Sequence, residues 1–377
     1  MLCRHALVEP LHTQTTYLLL KQKGWTRHGA PIQSIGEQNG IPLSDEAPAI
    51  AEISQMFEWT VTESHHTTTI PADSLTEAYI RFLAENDSPP APFPPHDVLG
   101  DIVLLRLGSE QRERIESGDT THFMEAGKLL LERKKSLRAV FVDLGVVGPY
   151  RQRHLLPLIA RDKNRLIHPS SDVTVDDREK IFSTLTKVRT DGVTLTVDPA
   201  AAYYNPRLEG QRREFINRLH EFASEAARPL RIADPYCGVG PMLRSIIHHR
   251  IPISSLLGID INPSAIALAR LNMPSNSTTP IEIIEGRAKE IASIQERQGT
   301  IDVICCNLPR SGPDAFLDPL PLLCPGALLL GWIHAPSESA ESLSTTLKKD
   351  LQCEKVVCRE TRSYSSSESV YMVEAQF

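Results

Sequence analysis

The chain is short of every feature that would move it out of the ordinary globular class. Its apolar runs are far shorter than the roughly 20 residues a membrane-spanning helix needs. The opening stretch MLCRHALVEPLHTQ lacks an apolar core of signal-peptide length. Cysteine is scarce, seven in 377 residues. Cys3, Cys237, Cys305, Cys306, Cys324, Cys353 and Cys358 form no C-x-x-C pair and no ladder of spacings. A disulfide framework is therefore not expected, nor a metal site, and the thiols read as reduced in a cytoplasmic protein. The adjacent Cys305 and Cys306 read as packing residues of a buried strand. Positive charge is also short: the net charge is -7, which argues against an overall basic nucleic-acid binder but not against a local basic face. Hydrophobic content of 41% and charge of 23% are those of a globular protein.

What is present is concentrated in LRIADPYCGVGPMLRSIIHHRIPISSLLGIDINP, residues 230–263. It reads as strand, glycine turn, helix, strand, with a ligand site at the carboxyl edge. Asp234 ends the first apolar run and Asp260 the second. Gly238 and Gly240 let backbone approach a ligand where a Cβ would clash. A dinucleotide site wants a third glycine, and Leu243 stands there. An acid before the turn repels a pyrophosphate but suits an ammonium. S-adenosyl-L-methionine carries an ammonium beside a sulfonium and a ribose, and Asp260 is placed for the ribose hydroxyls.

Around this stretch the chain divides into parts. Residues 1–88 read as a small recognition module. It has a strand at 6–9, a helix at 13–23 with Tyr17, Leu18 and Leu20 on its apolar face, and a helix at 74–85 opened by an Asp73-Ser74 cap. SPPAPFPP follows, and the linker is placed at 89–96. Residues 97–195 read as an α+β plait, with strands near 101–107, 139–144 and 155–160 and a helix near 123–133. Ten Lys or Arg and three acids lie between Lys128 and Arg165, a candidate phosphate-contacting face. Residues 196–377 alternate strands and helices, with strands near 231–236, 256–261, 281–285, 301–306 and 327–333 and an edge strand at 370–376. The expected fold is α/β, a doubly wound Rossmann-like sheet preceded by two small α+β domains. Asn307-Leu-Pro-Arg310 ends the fourth strand beside the ligand crevice, where its amide and carbonyls suit a planar base.

VVGPYRQR, VDPAAAYYNPRLEGQRREFI, ADPYCGVGPM, GIDINPSAIALARLN, IDVICCNLPRSGPDAF and TRSYSSSES together resemble the tRNA (guanine-37-N1)-methyltransferase family. That family is related to the wybutosine-pathway aminocarboxypropyltransferases. The likeness covers roughly residues 97–377, and HALVEPLHTQTTYLLLKQKGW extends it weakly into the first part. It implies a class I methyltransferase domain that moves a methyl from S-adenosyl-L-methionine to N1 of guanosine 37. It implies tRNA as partner, through anticodon stem-loop and body, a monomer, and no metal. Arg151 would stabilise charge on O6, Asn307 and Pro309 would hold the base, and Tyr203 would line its pocket. Asp234, Tyr236, Gly238, Gly240, Asp260, Asn262 and Asn307 would hold the cofactor, with Arg207 and Arg212 on the tRNA.

The resemblance breaks at two places. The family's general base is a glutamate in Pro-Arg-Leu-x-x-Glu-Arg, and Gln211 occupies that catalytic position here. Glu209 lies two residues away and points elsewhere. An acid usual after the third strand is Arg287. Two alternatives stay open: aminocarboxypropyl or methyl transfer to a tricyclic base at position 37, and a weakened tRNA-binding relative.

Overall fold

The computed structural model describes the chain except for residues 1, 28–29, 68–73, 87, 89–90, 308–311, 337–339 and 364–367. The chain falls into two compact units, Met1–Phe93 and Pro94–Phe377. The break lies in the proline-rich stretch, where missing amide donors and fixed backbone angles leave little to join to either sheet.

The first unit contains β1 (Leu2–Val8), α1 (Thr13–Gln22), β2 (Gln33–Ile35), β3 (Gln38–Pro42), α2 (Ile50–Ser54), β4 (Thr62–Thr67) and α3 (Leu75–Glu85). Its strands form one antiparallel sheet in the order β2-β3-β1-β4. Ala6, Val8, Leu20, Ile41 and Ile53 fill the core beneath it. Leu18, expected on the buried face of α1, is 54% exposed. Thr16 and Leu20, one turn apart, carry that face, and Leu18 lies between them on the opposite side. Asp73 lies outside the described residues. Ser74 caps α3, its hydroxyl accepting from the Glu77 amide while the Glu77 carboxylate accepts from the Ser74 amide at 2.6 Å.

The second unit opens with β5 (His96–Leu99), β6 (Ile102–Arg106), α4 (Ser109–Glu116), α5 (Thr121–Arg133), β7 (Ala139–Val147), β8 (Gln152–Asp162), β9 (Arg165–Ile167) and α6 (Val175–Ile181). The five strands order as β5-β6-β7-β8-β9, with β6 and β7 parallel across the α4–α5 crossover. A hairpin of β10 (Thr186–Thr190) and β11 (Val193–Val197) follows. One core joins Ile102, Leu104 and Phe141 of the five-stranded sheet to Val188 and Leu195 of the hairpin and to Tyr204, Val239 and Ala265 beyond it. That shared core is why residues 97–195 and 196–377 lie in one unit.

Next come α7 (Glu209–Ala226), β12 (Leu230–Asp234), α8 (Pro241–His248), β13 (Ile253–Asp260), α9 (Pro263–Asn272), β14 (Ile281–Glu285), α10 (Ala288–Ala292), β15 (Ile301–Cys306) and α11 (Asp314–Leu317). The chain ends with β16 (Leu323–Pro336), α12 (Ala340–Leu351), β17 (Lys355–Ser363) and β18 (Glu368–Gln376). The seven strands order as β14-β13-β12-β15-β16-β18-β17. Strands β12 to β16 pair in parallel and β18 runs against its neighbours β16 and β17. α7, α8 and α9 pack one face and α10, α11 and α12 the other, so this is a Rossmann-like sheet wound on both sides. Cys305 and Cys306 each fill one of those two layers, as successive strand residues must.

The last strand is not at the edge. β18 is interior and nearly continuously buried, and the edge is β17, whose Lys355, Arg359 and Glu360 suit an exposed margin. Much of the basic run is bound into the fold as well. Arg138 pairs with Asp101 at 2.8 Å and donates to the carbonyls of Ile181, Ser183 and Leu185. Arg153 pairs with Asp143, and Arg161 donates to the Leu131 carbonyl. Arg133, Lys134, Lys135, Lys163 and Arg165 are left exposed.

Asp302 fastens the foot of the sheet. It is 1% exposed, receives Arg228 at 2.8 Å and Arg231 at 2.7 Å, and also accepts from the Arg231 amide. Burial alone would raise its carboxyl, but hydrogen bonds from Arg228 and Arg231 reverse this and hold it well below the usual range. Replacing Asp302 with alanine removes the shared acceptor of two half-exposed guanidinium groups and of the Arg231 amide. A loss of about 1–2 kcal/mol in denaturant unfolding is the expected result.

Candidate active site

The carboxyl ends of β12, β13, β14, β15 and β16 open into a cavity of about 610 Å³. This is ligand-sized and lies at the edge where parallel sheets bind ligands. The tip of the β7–β8 hairpin and the segment before α7 complete its wall.

The turn after β12 is shaped by two glycines. Gly240 has φ +79° and starts α8, and a Cβ there would meet Met273 Cε at 2.9 Å. Gly240 does not itself line the cavity, so its contribution is the turn. Gly238, φ +53°, lines it and donates its amide to Asp260 at 2.8 Å. Asp260 also accepts from the Asn262 amide at 2.9 Å. Burial raises the Asp260 carboxyl, and these two amides partly offset the rise.

Asp234 is 2% exposed. Its hydrogen bond from the Tyr236 amide is 3.2 Å long, and among the described residues no Lys, Arg or His nitrogen comes within 4.0 Å. Burial is the main reason its carboxyl is pushed up to about 7, and the charge on Asp260 adds to it. A buried carboxylate without a cation is costly unless a ligand supplies one. Tyr236 anchors the far side by donating its hydroxyl to the Ala315 carbonyl at 3.1 Å. Asn262 lines the cavity with both ends of its amide engaged, accepting from Ser264 N at 3.0 Å and donating to the Ala201 carbonyl at 2.8 Å.

Guanidinium groups line the same cavity. Arg151 sits at the hairpin tip with φ +53°, unusual for a side chain with a Cβ. Its guanidinium lies 4.4 Å above the Tyr203 ring. The tip is held by Gln152 donating to the Ala201 carbonyl and by the Arg153 amide donating to the Pro199 carbonyl, each at 3.2 Å. Arg212 is 1% exposed, and it lines the cavity from α7. It donates to Thr190 Oγ1 at 2.9 Å, and that hydroxyl donates to Glu209 at 2.9 Å. Its Nε has no hydrogen-bond partner among the described residues. The neighbouring Tyr204 is buried, and burial raises its phenol. Asn307 Oδ1 is buried and likewise without a partner among the described residues.

Arg151, Tyr203, Arg212, Asp234, Tyr236, Gly238, Asp260, Asn262 and Asn307 therefore meet in one cavity. Gln211 is half-buried on α7 and is not on the lining. Arg207 is off it too, paired with Asp97 at 2.5 Å. Pro309 lies outside the described residues. Glu209 is held by Thr190 and faces Arg213, away from the cavity. Arg287 does line it. Sequence reasoning missed Tyr204, Asp314, Asp318 and His334, which also line it. For His334 a signal existed: Leu328, Leu330, Trp332 and His334 alternate along one face of a strand.

No protein-family model matches the chain. The tRNA (guanine(37)-N(1))-methyltransferase Trm5b of Pyrococcus abyssi is 25% identical over 215 residues, 57% of this chain and 52% of that protein. The tRNA (guanine(37)-N(1))-methyltransferase of Entamoeba histolytica is 28% identical over 312 residues, 80% of this chain and 70% of that one. For the first three curated relatives, the match spans about half their length or less. The crystal structure of Trm5b from Pyrococcus abyssi superposes with a TM-score of 0.60 over 99% of both chains at 17% identity, a likeness of fold. In sequence the chain is similar to proteins named tRNA (guanine(37)-N(1))-methyltransferase, and in fold it is similar to Trm5b.

Proposed function

We propose that this protein transfers a methyl group from S-adenosyl-L-methionine to N1 of guanosine 37 in tRNA. One observation carries the reading: a single cavity holds a buried carboxylate lacking a cation, Asp234, and two guanidinium groups, Arg151 and Arg212. The first suits the ammonium of the methyl donor. The second and third suit an oxygen that gains negative charge. When bound, the donor supplies an electrophilic methyl on sulfur, so the protein needs alignment rather than a metal.

The remaining contacts divide the same way. Asp260 suits the ribose hydroxyls and the Gly238 turn gives close backbone approach. The orphaned Oδ1 of Asn307 suits a ring N–H, and the Tyr203 ring, clamped by Arg151, suits a purine edge. A base must leave its stack to reach such a cavity. Val146 and Tyr150, 45% and 40% exposed at the rim, offer apolar surface to the flanking nucleotides. The exposed cations near Lys134 and Lys163 suit the tRNA backbone, and the Met1–Phe93 unit serves as a recognition module. The protein works as a cytoplasmic monomer. Among the described residues no helix is long and apolar enough to cross a membrane.

The test is methyl incorporation from labelled S-adenosyl-L-methionine into two transcripts that differ only at position 37. Label enters the G37 transcript, and the A37 transcript stays at background. Equal labelling of both, or of neither, overturns the reading.

A further inference from the structure

Guanine N1 carries a proton that must leave before it attacks, and the amide of Gln211 is no base for it. An imidazole, that of His334, lines the same cavity. His334 lies two residues beyond Trp332 on β16, so their side chains share a face of the strand. That face packs on α7, where the Phe215 ring stacks on Trp332 with centroids 3.6 Å apart and planes at 10°. Gln211 precedes Phe215 by one helical turn, on the same side of α7. α7 descends from the site to the foot of β12, and β16 rises toward it. The step from Phe215 back to Gln211 and the step from Trp332 on to His334 therefore run the same way. Each covers roughly 6–7 Å. The stacked pair thus sets His334 level with position 211, and His334 lines the same cavity as Arg151, Arg212 and Asn307. Asp314 and Asp318 also reach the cavity, but they sit beside Tyr236 near the turn after β12. Asp234 and Asp260 face the methyl donor.

We propose that His334 is the catalytic base, taking the N1 proton in place of a carboxylate at position 211. This rests on the methyl-transfer reading above. The N1–H bond breaks, its electron pair stays on the guanine and its proton moves to an imidazole nitrogen. N1 bonds to the methyl carbon as the carbon–sulfur bond breaks, its pair going to sulfur. The imidazolium then loses its proton to water. During transfer Arg151 and Arg212 hold the charge on O6.

The experiment is single-turnover methylation at saturating S-adenosyl-L-methionine and G37 tRNA. His334→Ala and the size-conserving His334→Asn are expected to slow the step at least about 100-fold. Cofactor and tRNA binding stay within about threefold. Added imidazole restores part of the His334→Ala rate. The retained cofactor and tRNA binding shows that both variants fold. Rates within threefold of wild type for both His334 variants overturn the proposal. So does a loss in His334→Ala that imidazole does not relieve. Failure of the underlying reading looks different, since wild type itself then makes no 1-methylguanosine.

Discussion

Replacing Asp234 with asparagine sharply weakens S-adenosyl-L-methionine binding and raises the melting temperature of the Pro94–Phe377 unit. Both effects have one cause. The carboxyl is fully buried and pushed from its ordinary 3.8 to about 7, chiefly by burial. A group whose folded pKa lies above its unfolded one favours folding while it stays protonated. That advantage is complete below about pH 4 and is lost as pH rises through about 7. Above pH 7 the ionised carboxylate costs about 4 kcal/mol relative to a neutral group. Asparagine removes this cost, so the melting temperature at pH 8 should rise by about 5–10 °C. The two proteins should melt alike near pH 4. The ligand cation that compensates the carboxylate is lost at the same time, and cofactor affinity should fall by at least about 100-fold. In wild type the same linkage weakens cofactor binding about tenfold per pH unit below about 7. Calorimetric titration and thermal melts across pH check both arms. An asparagine variant that binds normally, or that melts lower at pH 8, contradicts this placement of the cofactor.

Arg151→Ala should lower the single-turnover rate by about 10²–10³ while leaving cofactor affinity within about threefold. Arg151 lies over Tyr203, and its role is to meet charge developing on O6. Its neighbour Arg153 is the natural control. Arg153 is tied to the buried Asp143, so Arg153→Ala should act first on stability. Arg151→Gly should match the alanine variant in rate. The residue has φ +53°, so glycine relieves backbone strain and a loss of rate cannot come from misfolding. Arg151→Lys should recover little, because a single ammonium does not reproduce the planar donor fork.

The parts of the fold that the sequence made legible are those with strong local signals. Ile281–Glu285 and Ile301–Cys306 end where the apolar runs end, and the two acids bracket a turn that only glycines can make. Among the strands that escaped, two did so because their residues argue against strand when taken alone. Thr186–Thr190 has one apolar side chain, and its alternation is carried by buried threonines facing a shared core. Lys355–Ser363 is charged because it forms an edge. The site was legible where it follows one turn of chain and illegible where it depends on packing between elements. The place of His334 follows from a ring stack between β16 and α7, residues more than a hundred positions apart. The burial of Arg212 follows from a hairpin whose first strand was not expected. The position of Gln211 was identified from sequence, but its distance from the cavity lining needed the helix axis.

The most direct measurement is nucleoside mass spectrometry of G37 tRNA after incubation with the purified protein and S-adenosyl-L-methionine. The chemistry assigned to the cavity predicts 1-methylguanosine, located at position 37 by fragment analysis, and no product from A37 tRNA. An aminocarboxypropyl adduct, a methyl on a tricyclic base, or methyl groups at any other position would contradict it.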